Sequence, residues 1–182
     1  MIRIIAAFDS FKGSLTSREA GEAFRRGFMA ERPDAEVEVL TIADGGEGMA
    51  EAIAEGMGGE MVSVMVSDPL GRKIEARYAL INGGATAVIA MSSASGITLL
   101  KPEERNPLIA STYGTGELIV DALERGCREI IMGLGGSATN DCGVGMLRAL
   151  GYRRRWRGHG RGYIRWRGWR DGVGGCERPS WS

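Results

Sequence analysis

The sequence has few of the residues that build disulfide scaffolds, metal centres or membrane segments. Cys127, Cys142 and Cys176 are odd in number and lack C-x-x-C spacing, so neither a disulfide framework nor a zinc site is indicated. The single histidine, His159, supports no metal or catalytic centre. No apolar run approaches the roughly 20 residues of a membrane helix, and nothing near Met1 resembles a signal peptide. We predict a cytoplasmic protein without a membrane partner.

The chain also has no formal net charge, but this value is the sum of an acidic segment and a basic segment. Residues 1–151 carry 14 Lys and Arg against 21 Asp and Glu, whereas residues 152–182 carry 9 against 2. The length of 182 residues suits one ordinary domain, or one domain and part of another. The first part is therefore acidic and the last part basic.

The basic tail differs from the rest of the chain in composition. Residues 152–182 contain all four tryptophans, nine arginines and seven glycines, but no leucine, alanine or lysine. Helical and strand periodicity are absent, so we predict disorder. G-rich codons read in the wrong frame encode Arg, Gly and Trp, and we interpret the tail as a frameshift product. A plain disordered end and a nucleic-acid-binding tail stay open as alternatives, nucleic acid being the less favoured partner.

The chain begins with a predicted strand and helix. Residues 2–8 form an apolar run interrupted only by Arg3, which is typical of a strand covered on both faces in a parallel sheet. Thr16 and Glu19 have the spacing of a capping box, and Pro33 forbids continuation of the helix that follows. This order of strand, loop and helix recurs along the chain.

The later elements predict the fold class. Residues 36–42 alternate as a strand with one solvated face, and residues 60–67 and 73–81 flank a turn as an antiparallel hairpin. Further strands are predicted at 85–91 and 130–132, and further helices after residues 48, 112 and 140. We predict an α/β fold with a mainly parallel, Rossmann-like sheet and one hairpin at about residues 60–81.

Loops at strand ends carry the candidate functional residues, because ligands of open α/β sheets bind at that edge. Asp9, Ser10 and Lys12 follow the first strand and offer a carboxylate, a hydroxyl and a cation for a metal and a phosphate. The alternative is a solvent-exposed loop with a surface lysine. Arg105, in a polar connector, is a further candidate cation, or else a surface charge.

The second strand ends in an acidic glycine loop at residues 43–48. Asp44, with Gly45 and Gly46, repeats the geometry of the first loop, which favours a functional carboxylate. In the alternative, Asp44 caps the next helix and Glu47 favours its dipole.

A third loop, at residues 133–141, is the richest in small and polar residues. Its glycines allow backbone N–H groups to approach a ligand, and its polar side chains supply donors for phosphate oxygens. These residues are Gly133, Gly135, Gly136, Ser137, Thr139 and Asn140. Asp141 adds a carboxylate for Mg²⁺ or for orienting a hydroxyl, unless Asn140 or Asp141 is simply a helix N-cap. We expect this loop and the loops after Phe8 and Ile42 to meet at one cleft.

Seven blocks of the first 151 residues resemble, in order, those of the type-1 glycerate kinase family. They are Asp-Ser-Phe-Lys-Gly-Ser at 9–14, Ala-Asp-Gly-Gly-Glu-Gly at 43–48, Pro-Leu-Gly at 69–71, Ala-Ser-Gly at 94–96, Glu-Arg-Asn-Pro at 104–107, Tyr-Gly-Thr-Gly-Glu at 113–117 and Gly-Leu-Gly-Gly-Ser-Ala-Thr-Asn-Asp at 133–141. Two departures are Ala90, where a glutamate is expected, and Cys142, where a glycine is usual. The last block is also similar to the phosphate loop of homoserine and mevalonate kinases, but their preceding proline is missing.

The resemblance implies transfer of the γ-phosphoryl group of ATP, with Mg²⁺, to a hydroxyl of glycerate. It also implies two α/β lobes, here residues 1–80 and the start of a second lobe at 81–151, with the site between them. Because it covers only about the first 40% of a family chain, we expect an incomplete fold, marginal stability and weak or absent activity. A ligand-binding fragment that does not catalyse is the alternative.

Within this resemblance, roles follow from charge neutralisation and positioning. Lys12 would contact phosphate oxygens, and residues 133–139 would surround the nucleotide phosphates or the glycerate carboxylate. Asp44 and Asp141 would ligate Mg²⁺ or orient the attacking hydroxyl.

Overall fold

The structure, a computed structural model, describes residues 2–11, 14–154 and 166–167. Its strands are β1 Arg3–Phe8, β2 Glu36–Thr41, β3 Glu60–Ser67, β4 Lys73–Ile81, β5 Thr86–Ala90, β6 Glu129–Gly133, β7 Arg153–Arg154 and β8 Trp166–Arg167. Its α-helices are α1 Ser17–Glu31, α2 Met49–Met57, α3 Ser92–Ser95, α4 Tyr113–Glu124 and α5 Val144–Ala149. Short 3₁₀ turns occupy Asn82–Gly84, Ile97–Leu99 and Pro102–Glu104.

The first sheet consists of β1 and β2, which pair in parallel from Arg3↔Glu36 to Phe8↔Thr41. Helix α1 connects them and begins with the predicted capping box. The Glu19 amide donates to Thr16 Oγ1 at 3.2 Å, and the Thr16 amide donates to Glu19 Oε2 at 2.8 Å. These two bonds satisfy amides that a helix start would otherwise leave unpaired, so the helix begins where the sequence predicts.

The prediction that β1 is covered on both faces is wrong. Ala6 is buried toward α1, but Ile5, on the opposite face, is 61% exposed. Successive strand residues point to opposite faces, and α1 packs on the face of the sheet opposite to Ile5. An apolar run therefore does not establish burial on both sides.

The second sheet has the order β3-β4-β5-β6. The predicted hairpin is confirmed: β3 and β4 pair antiparallel from Glu60↔Leu80 to Ser67↔Lys73. Strand β5 is also antiparallel to β4, and β6 then pairs with β5 in parallel. The α/β class is confirmed, with a sheet that is mixed because three consecutive strands are joined by short connections.

Helices cover both faces of the second sheet. On one face, α2 packs on a cluster that includes Ala79, Ile81 and Val88. On the other face, α4 contributes Leu118 to a larger cluster around Tyr78. Alternation along β4 and β5 sends neighbouring residues into the two clusters, so this sheet forms the main core.

Helix α5 begins at Val144, three residues later than predicted. The intervening backbone is left-handed at Cys142, with φ 51°, and at Gly143, with φ 73°, which prevents the helix from starting earlier. In the tail, Arg153–Arg154 pairs antiparallel with Trp166–Arg167, where the sequence predicts no strand. Residues 155–165 and 168–182, to which the predictions of disorder, frameshift origin or nucleic-acid binding also apply, lie outside the described residues.

Two further expectations concern lobes and membranes. Strands on either side of the predicted lobe boundary at residues 80/81 share one sheet, since Leu80 pairs with Ala87. The division into lobes stays a prediction. In the part of the chain that the structure describes, every helix is too short or too polar to cross a membrane.

Candidate functional site

Two of the three predicted loops meet directly. The Gly135 amide donates to the Gly45 carbonyl at 2.9 Å. A Cβ added to Gly135 would lie 2.8 Å from both Cα and N of Gly46, so the two glycine backbones approach more closely than a side chain permits. The contact joins the loop after β2 to the loop after β6, as predicted.

The loop after β6 also contacts the segment after β5. The Ile97 amide donates to the Gly136 carbonyl, and the Ala138 amide donates to the Ser95 carbonyl, both at 2.9 Å. Three strand-end segments, at residues 43–48, 92–97 and 133–138, therefore form one cluster, which we call the loop cluster.

The ends of β1 and β2 are joined by a serine that the sequence analysis missed. Ser17 Oγ donates to the Phe8 carbonyl at 2.6 Å and accepts from the Ile42 amide at 3.1 Å. Asp9 and Asp44 follow these paired strand ends and therefore start from the same edge of the sheet. Ser17 follows the predicted capping residue Thr16, but no local sequence pattern predicts its hydrogen bonds to Phe8 and Ile42.

Several amides of the loop cluster have no protein acceptor. Among the described residues, the N–H groups of Leu134, Gly136 and Ser137 donate to no carbonyl or side chain. Gly136 has φ 71°, and alternating backbone handedness of this kind directs amides toward a common concavity. Ser137 Oγ lies 2.9 Å from Thr139 Oγ1 and accepts from the Thr139 amide at 3.1 Å. Free amides of this kind suit a bound anion.

A cleft of about 230 Å³ opens beside the loop cluster. It lies where the start of α2 faces β4 and the end of β5, and Arg77 is the cation in its lining. The polar lining residues are Glu47, Glu51, Glu75, Arg77, Ser92, Ser93 and Thr98. The sequence analysis did not single out Arg77, because an isolated arginine in an alternating strand is normally a solvated surface residue. Ala90 also lines the cleft, at the position where the resemblance predicts a glutamate.

Asp141 lies at the junction of α4 and α5, where both carboxylate oxygens are hydrogen-bonded. Thr112 donates to it through its amide at 2.9 Å and through Oγ1 at 2.9 and 3.0 Å. The amides of Gly143 and Gly145 add bonds of 3.1 and 3.0 Å. The carboxylate therefore joins the starts of two helices, but the N-cap residue of α5 is Gly143, so the alternative that Asn140 or Asp141 is the N-cap is wrong.

These bonds also set the ionisation of Asp141. Burial alone would raise the pKa of its carboxyl, but hydrogen bonds from Thr112, Gly145 and Gly143 outweigh burial and hold the pKa below its usual value. Asp141 is therefore a carboxylate at neutral pH, with its lone pairs directed at protein donors.

The two predicted metal ligands differ in their availability. Asp44 is exposed and, among the described residues, accepts only the Gly46 amide, at 3.1 Å. The N-cap residue of α2 is Gly48, so Asp44 does not cap that helix. Asp141 would have to give up several hydrogen bonds to bind a cation. No group of three or more His, Cys, Asp or Glu among the described residues is arranged as a metal site. Mg²⁺ commonly uses only one or two protein carboxylates with substrate phosphates and water, a pattern that Asp44 alone fits.

The remaining predicted residues are dispersed or not described. Lys12 lies outside the described residues. Asp9 is exposed and accepts the Ser10 amide at 2.7 Å. Arg105 and Asn140 are exposed, and within the described part of the chain their side chains have no hydrogen bond or ion pair. Contact of Arg105 or Asn140 with the loop cluster stays a prediction.

A sequence model of the glycerate kinase family matches residues 4–159. The chain belongs to this family. It is 48% identical over 153 residues to a glycerate kinase of Halalkalibacterium halodurans, and 47% identical over 152 residues to that of Bacillus subtilis. Each match covers 84% of this chain and 40% of the relative. A protein named glycerate 2-kinase in Escherichia coli is 45% identical over 150 residues, covering 82% of this chain and 39% of the relative.

The fold is also similar to that of a solved structure from this family. A crystal structure described as glycerate kinase 2 from Salmonella typhimurium LT2 superposes with a TM-score of 0.69 at 46% identity. The superposition covers 85% of this chain and 41% of that protein. The chain thus spans about 40% of the length of the relatives that it matches.

Proposed function

We propose that this chain supplies part of the site of a glycerate kinase, which transfers the γ-phosphoryl group of ATP to a hydroxyl of glycerate. The observation that carries the proposal is the loop cluster, in which two glycine loops touch through Gly135 and Gly45. Its unpaired amides are suited to phosphate or carboxylate oxygens. Many anions could bind such a site, and membership of the glycerate kinase family favours the substrates of a kinase among them.

The chemistry needs positioning and charge neutralisation rather than a covalent intermediate. The amides of Gly136 and Ser137 would hold anionic oxygens of the nucleotide or of glycerate. Asp44 would hold Mg²⁺, which when bound neutralises charge on the transferred phosphoryl group. We assign Asp141 to positioning of α4 and α5, because its oxygens already accept protein donors. Lys12 would contact the phosphates.

The test is turnover by the purified chain with ATP, Mg²⁺ and glycerate, read as ADP release and by phosphorus NMR of the product. Transfer to glycerate should be weak, because the chain covers only 40% of the relative, and glycerol, which lacks the carboxylate, should not be phosphorylated. NMR also identifies which hydroxyl is phosphorylated. Ser137→Ala should lower turnover by about tenfold or more, because the hydroxyl shapes the loop through the Thr139 amide. Ser63→Ala, which removes an exposed serine hydroxyl on β3, should leave turnover unchanged.

A second candidate is a ligand-binding protein that does not catalyse, favoured by the 40% coverage of the relatives. Calorimetric binding of MgATP without ADP release would support this candidate. Absence of both binding and turnover would reject the two functions together.

A further inference from the structure

The cleft beside the loop cluster opens where two strands of the second sheet separate. The β4–β5 ladder ends at the pair Ala79↔Val88, although both strands extend beyond it. Arg77 and Ala90, two residues beyond that pair on their strands, lie on the face that Ala79 and Val88 present to α2. Both line the cleft of about 230 Å³. The cleft is therefore placed at the edge of α2, over the point where the strands separate.

Arg77 is a cation without a protein partner. Its side chain has no hydrogen bond or ion pair with any residue that the structure describes, although Glu75 lies on the same face of β4. Ala90 occupies the corresponding position of β5, where the resemblance predicts a glutamate. A carboxylate at that position could pair with the guanidinium, but a methyl group cannot. The guanidinium of Arg77 therefore stays free for a carboxylate from outside the chain, which it can bind through two parallel hydrogen bonds.

Ser92 adds a hydroxyl to the same cleft. The residue is only 8% exposed, and its Oγ has no hydrogen-bond partner within the described part of the chain. Buried hydroxyls normally have a partner, so this one is available to a molecule in the cleft. Ser92 also adjoins the loop cluster, since a Cβ added to Gly136 would lie 3.3 Å from Ser92 Cβ. The cleft is thus next to the amides assigned above to anionic oxygens.

The size and charge of the cleft restrict its ligand. A volume of about 230 Å³ is below the roughly 300 to 1,000 Å³ of sites for larger ligands, so a whole nucleotide does not fit. Among its described lining residues, Glu47, Glu51 and Glu75 outnumber Arg77, which disfavours a phosphate group with two charges. A small monocarboxylate with hydroxyl groups suits this lining, because glutamate carboxylates accept hydrogen bonds from hydroxyls.

We infer that this cleft is the subsite for the phosphoryl acceptor, in which Arg77 binds the carboxylate of glycerate and Ala90 keeps Arg77 free to do so. Ser92 would donate its hydroxyl to the same ligand. The identity of the acid rests on the proposed function. The inference divides the two anions between two places, with the glycerate carboxylate at Arg77 and the nucleotide phosphates at the amides of the loop cluster.

The first experiment titrates the full 182-residue chain with glycerate and with glyceramide, its uncharged amide, and measures dissociation constants by protein NMR. The wild-type chain should bind glycerate about tenfold or more tightly than glyceramide, because only the carboxylate pairs with a guanidinium. Arg77→Gln should remove this preference. Arg26→Gln, at an exposed arginine of α1, is the control and should keep it. Absence of glycerate binding to the wild-type chain, or equal affinity for the two ligands, would overturn the inference.

A second pair of variants tests the role of Ala90. Ala90→Glu supplies an internal partner for Arg77 and should weaken glycerate binding by about tenfold or more. Ala90→Gln adds a side chain of the same size without the charge, and its loss should be smaller by about threefold or more. Equal losses would contradict the pairing with Arg77. Circular dichroism verifies the fold of each variant, and the exposed Arg77→Gln substitution decides the inference if the buried Ala90 variants do not fold.

Two further measurements separate this inference from the proposed activity. Arg77→Gln should leave the affinity for MgATP within about twofold, whereas equal losses for MgATP and glycerate would reject a separate acceptor subsite. Inorganic phosphate should not displace glycerate, and displacement would identify a general anion site instead. Glycerate binding that depends on Arg77 but gives no phosphoryl transfer rejects the proposed activity and leaves the subsite intact. Turnover with an unchanged KM for glycerate in Arg77→Gln rejects the subsite and leaves the activity intact.

Discussion

The β1–β2 sheet and the β3–β6 sheet are built from similar apolar strands but are covered to different extents. Ile89 and Val88 of β5 are completely buried on opposite faces, between α4 and α2. Ile5 of β1, in a run of similar hydrophobicity, is 61% exposed. The difference shows that burial of a strand residue depends on the layer of structure that packs against it. Hydrophobic strand residues contribute to stability only where a second layer covers them.

The largest expected effect tests this difference in burial directly. Leu118→Ala in α4 should lower the free energy of unfolding by about 3 kcal/mol, because Leu118 is fully buried and its removal leaves a cavity. Leu40→Ala makes the same chemical change at a residue that is 42% exposed, and should cost about 1 kcal/mol or less. Urea unfolding of the two variants measures both values. Similar losses would show that the first sheet is covered as fully as the second.

The next largest effect is expected at Asp141, which joins the starts of α4 and α5. Asp141→Asn should cost about 2 kcal/mol, since an amide cannot accept at both positions and leaves donors of Thr112, Gly143 or Gly145 unpaired. Asp34→Asn, at an exposed carboxylate paired with Arg32, is the control and should leave the free energy of unfolding nearly unchanged, because solvent screens an exposed ion pair.

The pH dependence of stability provides a further test of the same carboxylate. The folded pKa of Asp141 lies below its ordinary value of 3.8, so its contribution is present above that value and is lost as pH falls through the folded pKa. Acid unfolding of Asp141→Asn should therefore show a smaller pH dependence below about pH 4 than the unsubstituted protein. Identical acid profiles would exclude the hydrogen-bonded carboxylate as a source of stability.

A smaller loss is expected at the contact between the loops of the two regions. Gly135→Ala should cost about 1 to 2 kcal/mol, because the added methyl group meets the backbone of Gly46. Gly27→Ala is its control: this helical glycine has open space around it, and alanine should stabilise α1 by about 0.5 to 1 kcal/mol. Differential scanning calorimetry should show melting temperatures that move in opposite directions. A shift in the same direction would mean that the close loop contact is absent in solution.

The smallest effect is a gain. Cys142 is exposed and has a left-handed backbone with φ 51°, which disfavours residues other than glycine, asparagine and aspartate. Cys142→Gly should stabilise the protein by about 0.5 kcal/mol, whereas Cys142→Ser keeps the strain and should leave stability unchanged. Thermal unfolding in reducing buffer measures both, and a destabilising glycine would contradict the strain assigned to this turn.

Local features of the fold could be predicted from the sequence because local patterns determine them. Alternation and helical spacing located the strands and the main helices, and the Thr16–Glu19 capping box began α1 as expected. Asp121 in α4 and Arg125, the residue that follows the helix, have the i,i+4 spacing of an ion pair and form one at 2.7 Å. Glycine-rich blocks identified loops that do meet, since parallel strands end at a common edge.

The layer that covers a strand and the donors that bind a carboxylate were decided by the tertiary structure. The residues of β1 are the same whether or not a second layer covers Ile5, and Asp141 reads as a metal ligand until Thr112, distant in sequence, donates to it. Ser17 shows the same dependence, since its hydroxyl joins two strands that only folding places side by side. The sequence by itself determined the main elements, the capping box of α1 and the family. Only the packed chain decided which apolar faces are covered and which polar groups remain free for a ligand, because both depend on contacts between residues that are far apart in the chain.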